Sequence, residues 1–103
     1  MFKDLMKVLE QHNYGVRAYE HFSQMCYQSA KDQPDHAVFF LTLSILADRF
    51  VNQYDESPLT TTAADAQKDE ILAIIASMEE SVSSSAADQI NVLNTVSMHI
   101  MGH

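Results

Sequence analysis

Residues 34–56 read PDHAVFFLTLSILADRFVNQYDE, and no residue from Ala37 to Ala47 carries a charge. The apolar positions recur by three and four, the period of a helix and not the alternation of a strand. Pro34 suits a first helical turn, whose N–H groups lack intrahelical partners, and Asp32 or Asp35 can cap that turn or complement its dipole. The eleven uncharged residues, closed off by Asp35 and His36 before and Asp48 and Arg49 after, fall short of the about 20 that cross a bilayer. A membrane span is therefore excluded, and the segment is read as a core helix ending near Tyr54.

At 100° per residue, Phe39, Phe40, Leu43, Leu46, Ala47, Phe50, Val51 and Tyr54 share one broad face, as a bundle core requires. Val38, Leu41 and Ile45 lie on roughly the opposite side, where the second half of the helix carries Asp48, Arg49, Asn52 and Gln53 instead. Only the first half of this helix needs covering twice. Two arrangements satisfy it: the half sits centrally, wrapped by the chain's other helices, or Val38, Leu41 and Ile45 meet a second copy of the chain. The second is the expectation, because a bundle of four helices has no fifth to spare.

The chain of 103 residues, with two glycines and two prolines, predicts a single all-α domain over 1–103. Phe2, Leu5, Leu9, His12, Val16, Tyr19, Ser23, Cys26 and Ala30 alternate by three and four without a phase slip, which predicts one helix over 2–30. In that reading Gly15 lies beside the seam, lets a neighbouring helix come close, and costs about 1 kcal/mol; the competing reading is a break at Asn13–Gly15. His12, on the seam, is expected in the core beside Tyr19. Thr62 to Asp65 and Ser85 to Asp88 have the form of capping boxes, with Asp in place of Glu. They predict helices over 62–80 and 86–101, the first burying Ile71, Ile74, Ile75, Met78 and Val82, the second Ile90, Leu93, Val96, Ile100 and Met101. The fold class is an antiparallel bundle of about four helices: 2–30, 34–54, 62–80 and 86–101.

Charge bounds the function. The net charge is -8, and it is uneven: residues 1–54 hold six acids and five bases, residues 55–103 eight acids and only Lys68. A field of that sign repels phosphate backbones and anionic lipid, so neither nucleic acid nor a membrane is an expected direct partner. Cys26 is the one cysteine, which rules out an internal disulfide, and the opening MFKDLMKVLEQ lacks the ordered regions of a signal peptide. A cytoplasmic location is expected.

Candidate chemistry is sparse. Glu-x-x-His, the ligand pattern of di-iron bundles, does not occur. His99 and His103 are four apart, but no third ligand accompanies them in sequence. His21 and His36 lack the lysine and glycine that follow a phosphotransfer histidine, and no basic cradle for phosphate follows. Cys26 falls on the seam, the serines of 81–85 have no histidine beside them, and no glycine-rich phosphate loop is present. The sequence thus predicts no catalytic residues, no metal ligands and no cofactor. It reads as a small acidic protein acting through protein contacts, an adaptor, chaperone or regulator that pairs with itself. The expected interface is Val38, Leu41 and Ile45, and the expected acidic surface is Asp65, Asp69, Glu70, Glu79 and Glu80. Two alternatives come from other classes: an acidic inhibitor of a basic nucleic-acid-handling protein, and a histidine-based metal-binding or phosphotransfer bundle.

Overall fold

The computed structural model describes residues 1–102, which form five α-helices and no strand: α1 (Lys3–Gln11), α2 (Val16–Asp32), α3 (Ala37–Tyr54), α4 (Thr61–Val82) and α5 (Ala86–Met101). A 3-10 turn over Pro34–His36 leads into α3, with proline in its first position. The all-α bundle is as the sequence predicts, with one helix more.

The extra helix comes from a break inside the predicted 2–30 segment. His12 ends α1; the Asn13 N–H donates to the Glu10 carbonyl at 3.0 Å and the Tyr14 N–H to the Leu9 carbonyl at 2.9 Å. These are the two bonds of a Schellman stop, which needs a left-handed residue just past the helix end. Asn13 supplies it with φ of 55°, and Tyr14 follows at the same φ. Gly15 is extended, with φ -82° and ψ 179°, and opens α2. An added Cβ on Gly15 would meet only the His12 carbonyl oxygen, at 3.7 Å. The glycine therefore admits no neighbouring helix. The seam passes through the break in phase because both helices bury the same side: Phe2, Leu5 and Leu9 from α1, and Tyr19, Ser23 and Cys26 from α2. His12 is the exception, exposed on the turn with its ring stacked on His21 at 4.6 Å.

Helices α2 and α3 pack antiparallel along their length. The Ser23 hydroxyl donates to Asp48 at 2.6 Å, and the Tyr27 hydroxyl reaches the other carboxylate oxygen at 3.4 Å. The core face of α3 is the predicted one: Phe39, Phe40, Leu43, Leu46, Ala47 and Phe50 are all buried. Phe2 stands edge-on to Phe39 and Phe40, and Tyr19 lies 4.5 Å from Phe50 between ring centres. Thr42 and Ser44 are buried too, each hydroxyl donating at 2.7 Å to a carbonyl of its own helix, so the polar groups cost little.

Helix α4 is capped two residues before the predicted position. The Thr60 hydroxyl oxygen accepts from the Ala63 N–H at 3.1 Å, and Thr62 lies inside the helix. At α5 the predicted cap holds: Ser85 accepts from the Asp88 N–H at 3.2 Å. Ile71, Ile75, Met78 and Val96 join the core, with Ile74, Val82, Leu93 and Ile100 packed against it. Ile90 and Met101, expected inside, are 56% and 74% exposed. Helix α5 carries apolar residues on more than one side, and the side bearing Val96 is the one that meets the core.

Candidate functional site

The residues predicted as an interface are uncovered. Val38 is 57% exposed, Leu41 41% and Ile45 47%, although each belongs to a helix whose opposite face is the centre of the core. No other helix of the chain wraps them. The stripe is continued sideways by Tyr27, itself exposed, whose hydroxyl reaches Asp48 one turn beyond Ile45. This face is built from the half of the chain whose charges nearly cancel.

The predicted acidic surface divides in two. At 100° per residue, Asp65, Asp69, Glu79 and Glu80 fall within about 100° of one another on the outer side of α4, and Glu70 lies about 80° further round. The first four are exposed, whereas Glu70 is half-buried and turned toward α5, where its carboxylate pairs with His99 Nε2. Glu79 also holds the N-terminal ammonium of Met1 at 3.2 Å.

The Glu70–His99 pair closes one end of a groove between α4 and α5 of about 480 Å³, whose apolar lining is Ala73, Ile74, Val92 and Val96. On the other side of the pair lies a polar cleft of about 330 Å³, to which α3 contributes Arg49 and Gln53 and α4 contributes Gln67. There the Arg49 guanidinium donates to the Ile100 carbonyl, tying the middle of α3 to the end of α5. The groove was not legible in the sequence, because it forms only where α4 and α5 lie side by side. The usable signal was Ala73 and Ser77 one turn apart on α4, small residues that leave the groove room.

The other candidates for chemistry are accounted for structurally. Cys26 is fully buried; burial, with Asp48 nearby, pushes its thiol up, so it stays protonated and is a poor nucleophile. Ser23 donates to Asp48, without an imidazole in the pair. His36 lies against Phe39 and His21 against His12, on different parts of the molecule. Among the described residues no three of His, Cys, Asp and Glu gather as a metal site; His103, paired with His99 in the sequence reading, lies outside the described residues. Nor is any described helix long and apolar enough to cross a membrane. Compared with protein families, with curated proteins and with solved structures, the chain matches none.

Proposed function

We propose that this chain is a small non-catalytic helical protein that acts through protein contacts, as an adaptor, chaperone or regulator, and that it pairs with a second copy of itself through the outer face of α3. The observation that carries the reading is the exposure of Val38, Leu41 and Ile45 on a helix whose other face is the core. Three aliphatic side chains spaced three and four apart on one helix face are costly to leave in water, at roughly 25 cal/mol per Å². Charge favours self-pairing at this face. Residues 1–54 sum to -1, against -7 for residues 55–103, so two copies can meet here with little repulsion between their acidic halves. A stable dimer buries about 800 Å² per partner, more than three side chains supply, so Tyr27 and the neighbouring surface of α2 belong to the interface. A single cysteine, with no internal disulfide to form, fits a reducing compartment such as the cytoplasm. Nucleic acid and anionic membranes stand outside the reading, since the net charge repels both.

Sedimentation equilibrium of the wild type and of Leu41→Asp tests it. The wild type is expected to be a dimer at micromolar concentration, and the variant a monomer of unchanged helicity, because Leu41 is exposed and is not one of the buried core residues. A folded wild-type monomer under those conditions overturns the dimer. A second reading, an acidic inhibitor of a basic nucleic-acid-handling protein, is favoured by the outward row of Asp65, Asp69, Glu79 and Glu80; it predicts binding to such a protein that weakens steeply with salt.

A further inference from the structure

We propose that the groove between α4 and α5 binds a basic amphipathic helix of a partner protein. The proposal rests on the chain acting through protein contacts, but not on its dimerisation through α3.

The groove is as long as two turns of a helix. Its α4 wall runs from Glu70 to Ser77 and its α5 wall from Asn91 to His99, which at 1.5 Å per residue is about 10–12 Å, or two turns. A helix laid there presents two or three apolar side chains at i, i+3 or i+4, and i+7 to the floor, the usual way a helix occupies a groove. The floor of Ile74, Val92 and Val96 accepts such anchors. Ala73 is itself exposed and small, which lowers the α4 wall where an anchor would enter. Met98, 65% exposed on the outer edge of α5, is an adaptable side chain suited to cover one.

The rim sets the sign of the partner. Asp69 and Glu80 lie about 20–40° round α4 from Ala73, and Asp88 one turn before Val92 on α5; all three are exposed. Lys68, the sole lysine or arginine of residues 55–103, faces the other way, its Nζ 4.7 Å from the centre of the Tyr14 ring. An apolar floor edged by carboxylates selects lysines and arginines flanking an apolar stripe, and it disfavours a second copy of this chain, which would bring its own acidic half.

The test uses a fluorescent synthetic peptide of about four helical turns, with leucines on one face and lysines and arginines elsewhere. Its controls are a scramble of equal composition without the helical spacing and a charge-reversed version with glutamates. Saturable binding of the first peptide by the whole protein is expected, weaker by about tenfold or more for both controls, and weaker as salt rises. Ala73→Leu, which fills the groove without adding charge, and Ala73→Arg should each cost the affinity a similar factor while circular dichroism stays unchanged, since Ala73 is outside the core. Equal binding of the scramble, unchanged affinity in both Ala73 variants, or no binding of the basic peptide overturns the proposal. Leu41→Asp separates the two readings: it is expected to abolish dimerisation and leave peptide binding intact. Loss of the groove result with a dimer retained removes only the groove, and the converse removes only the dimer.

Discussion

Tyr19 is fully buried, and its hydroxyl has no hydrogen-bond partner in the structure. An unpaired buried hydroxyl costs about 1–3 kcal/mol, so Tyr19→Phe is expected to stabilise the protein by about 1 kcal/mol at neutral pH, measured by urea denaturation. Burial, with Tyr14 and Glu70 adding to it, pushes the Tyr19 phenol up, and burial with Asp48 does the same to the Cys26 thiol. Both groups thus keep their protons in the folded chain to higher pH than in the unfolded one. Their contribution is fully present below the ordinary thiol range, near 8.5, and is lost as pH rises past it and then past about 10 for the phenol. Stability should fall by up to about 1.4 kcal/mol per pH unit for each group. The Tyr19→Phe variant should lose only the thiol share; a wild-type stability that stays level from pH 8 to about pH 11 would contradict this. Gly15 gives another prediction at this scale. Its backbone is one that alanine adopts and only the His12 carbonyl stands near, but it is the N-cap of α2, where alanine is disfavoured. That loss offsets the about 0.4–1 kcal/mol gained through the unfolded chain, and Gly15→Ala should leave stability within about 0.5 kcal/mol of the wild type. Were Gly15 the close-approach position that the unbroken seam suggests, the same change would destabilise. The sequence did carry the stop signal, Asn13-Tyr14-Gly15, but the left-handed backbone falls on the asparagine and the tyrosine and not on the glycine, the residue that usually takes it.

Among the elements, α3 was legible almost residue by residue, because a broad apolar face with a distinct second stripe leaves one arrangement that buries the larger face. Helix α5 was not. Ile90, Leu93, Val96, Ile100 and Met101 all fit a helical period, yet only Val96 is fully inside, since period alone cannot say which part of a broad apolar arc meets its neighbours. The capping boxes show the same limit on a smaller scale. Ser85 and Thr62 both stand three residues before an aspartate, but a run of three threonines offers three candidate caps, and Thr60 is the one whose backbone is extended, with ψ of 156°. Thr60→Ala and Ser85→Ala should therefore each cost about 1 kcal/mol, whereas Thr62→Ala, inside the helix, should be neutral or slightly stabilising. Thermal denaturation of the three variants checks the assignment.

Over the whole molecule, two uncovered apolar regions differ in their electrostatic setting. The outer face of α3 stands in the nearly neutral half and suits a second copy; the α4–α5 groove stands in the acidic half and suits a basic partner. The first was visible in the sequence as Val38, Leu41 and Ile45, because a stripe on one helix needs only that helix's period to be seen. The second required the packing of two helices, and the division of the acids between the outer row of α4 and the Glu70–His99 pair likewise depends on where α5 lies. The most direct test of the account is an isotope-filtered NOE experiment on an equal mixture of labelled and unlabelled protein. It should show contacts between subunits from the methyl groups of Val38, Leu41 and Ile45. Their absence in a dimeric sample, or intersubunit contacts confined to Ile90, Met98 and Met101 of α5, would contradict the assignment of the α3 face as the surface through which the chain pairs with itself.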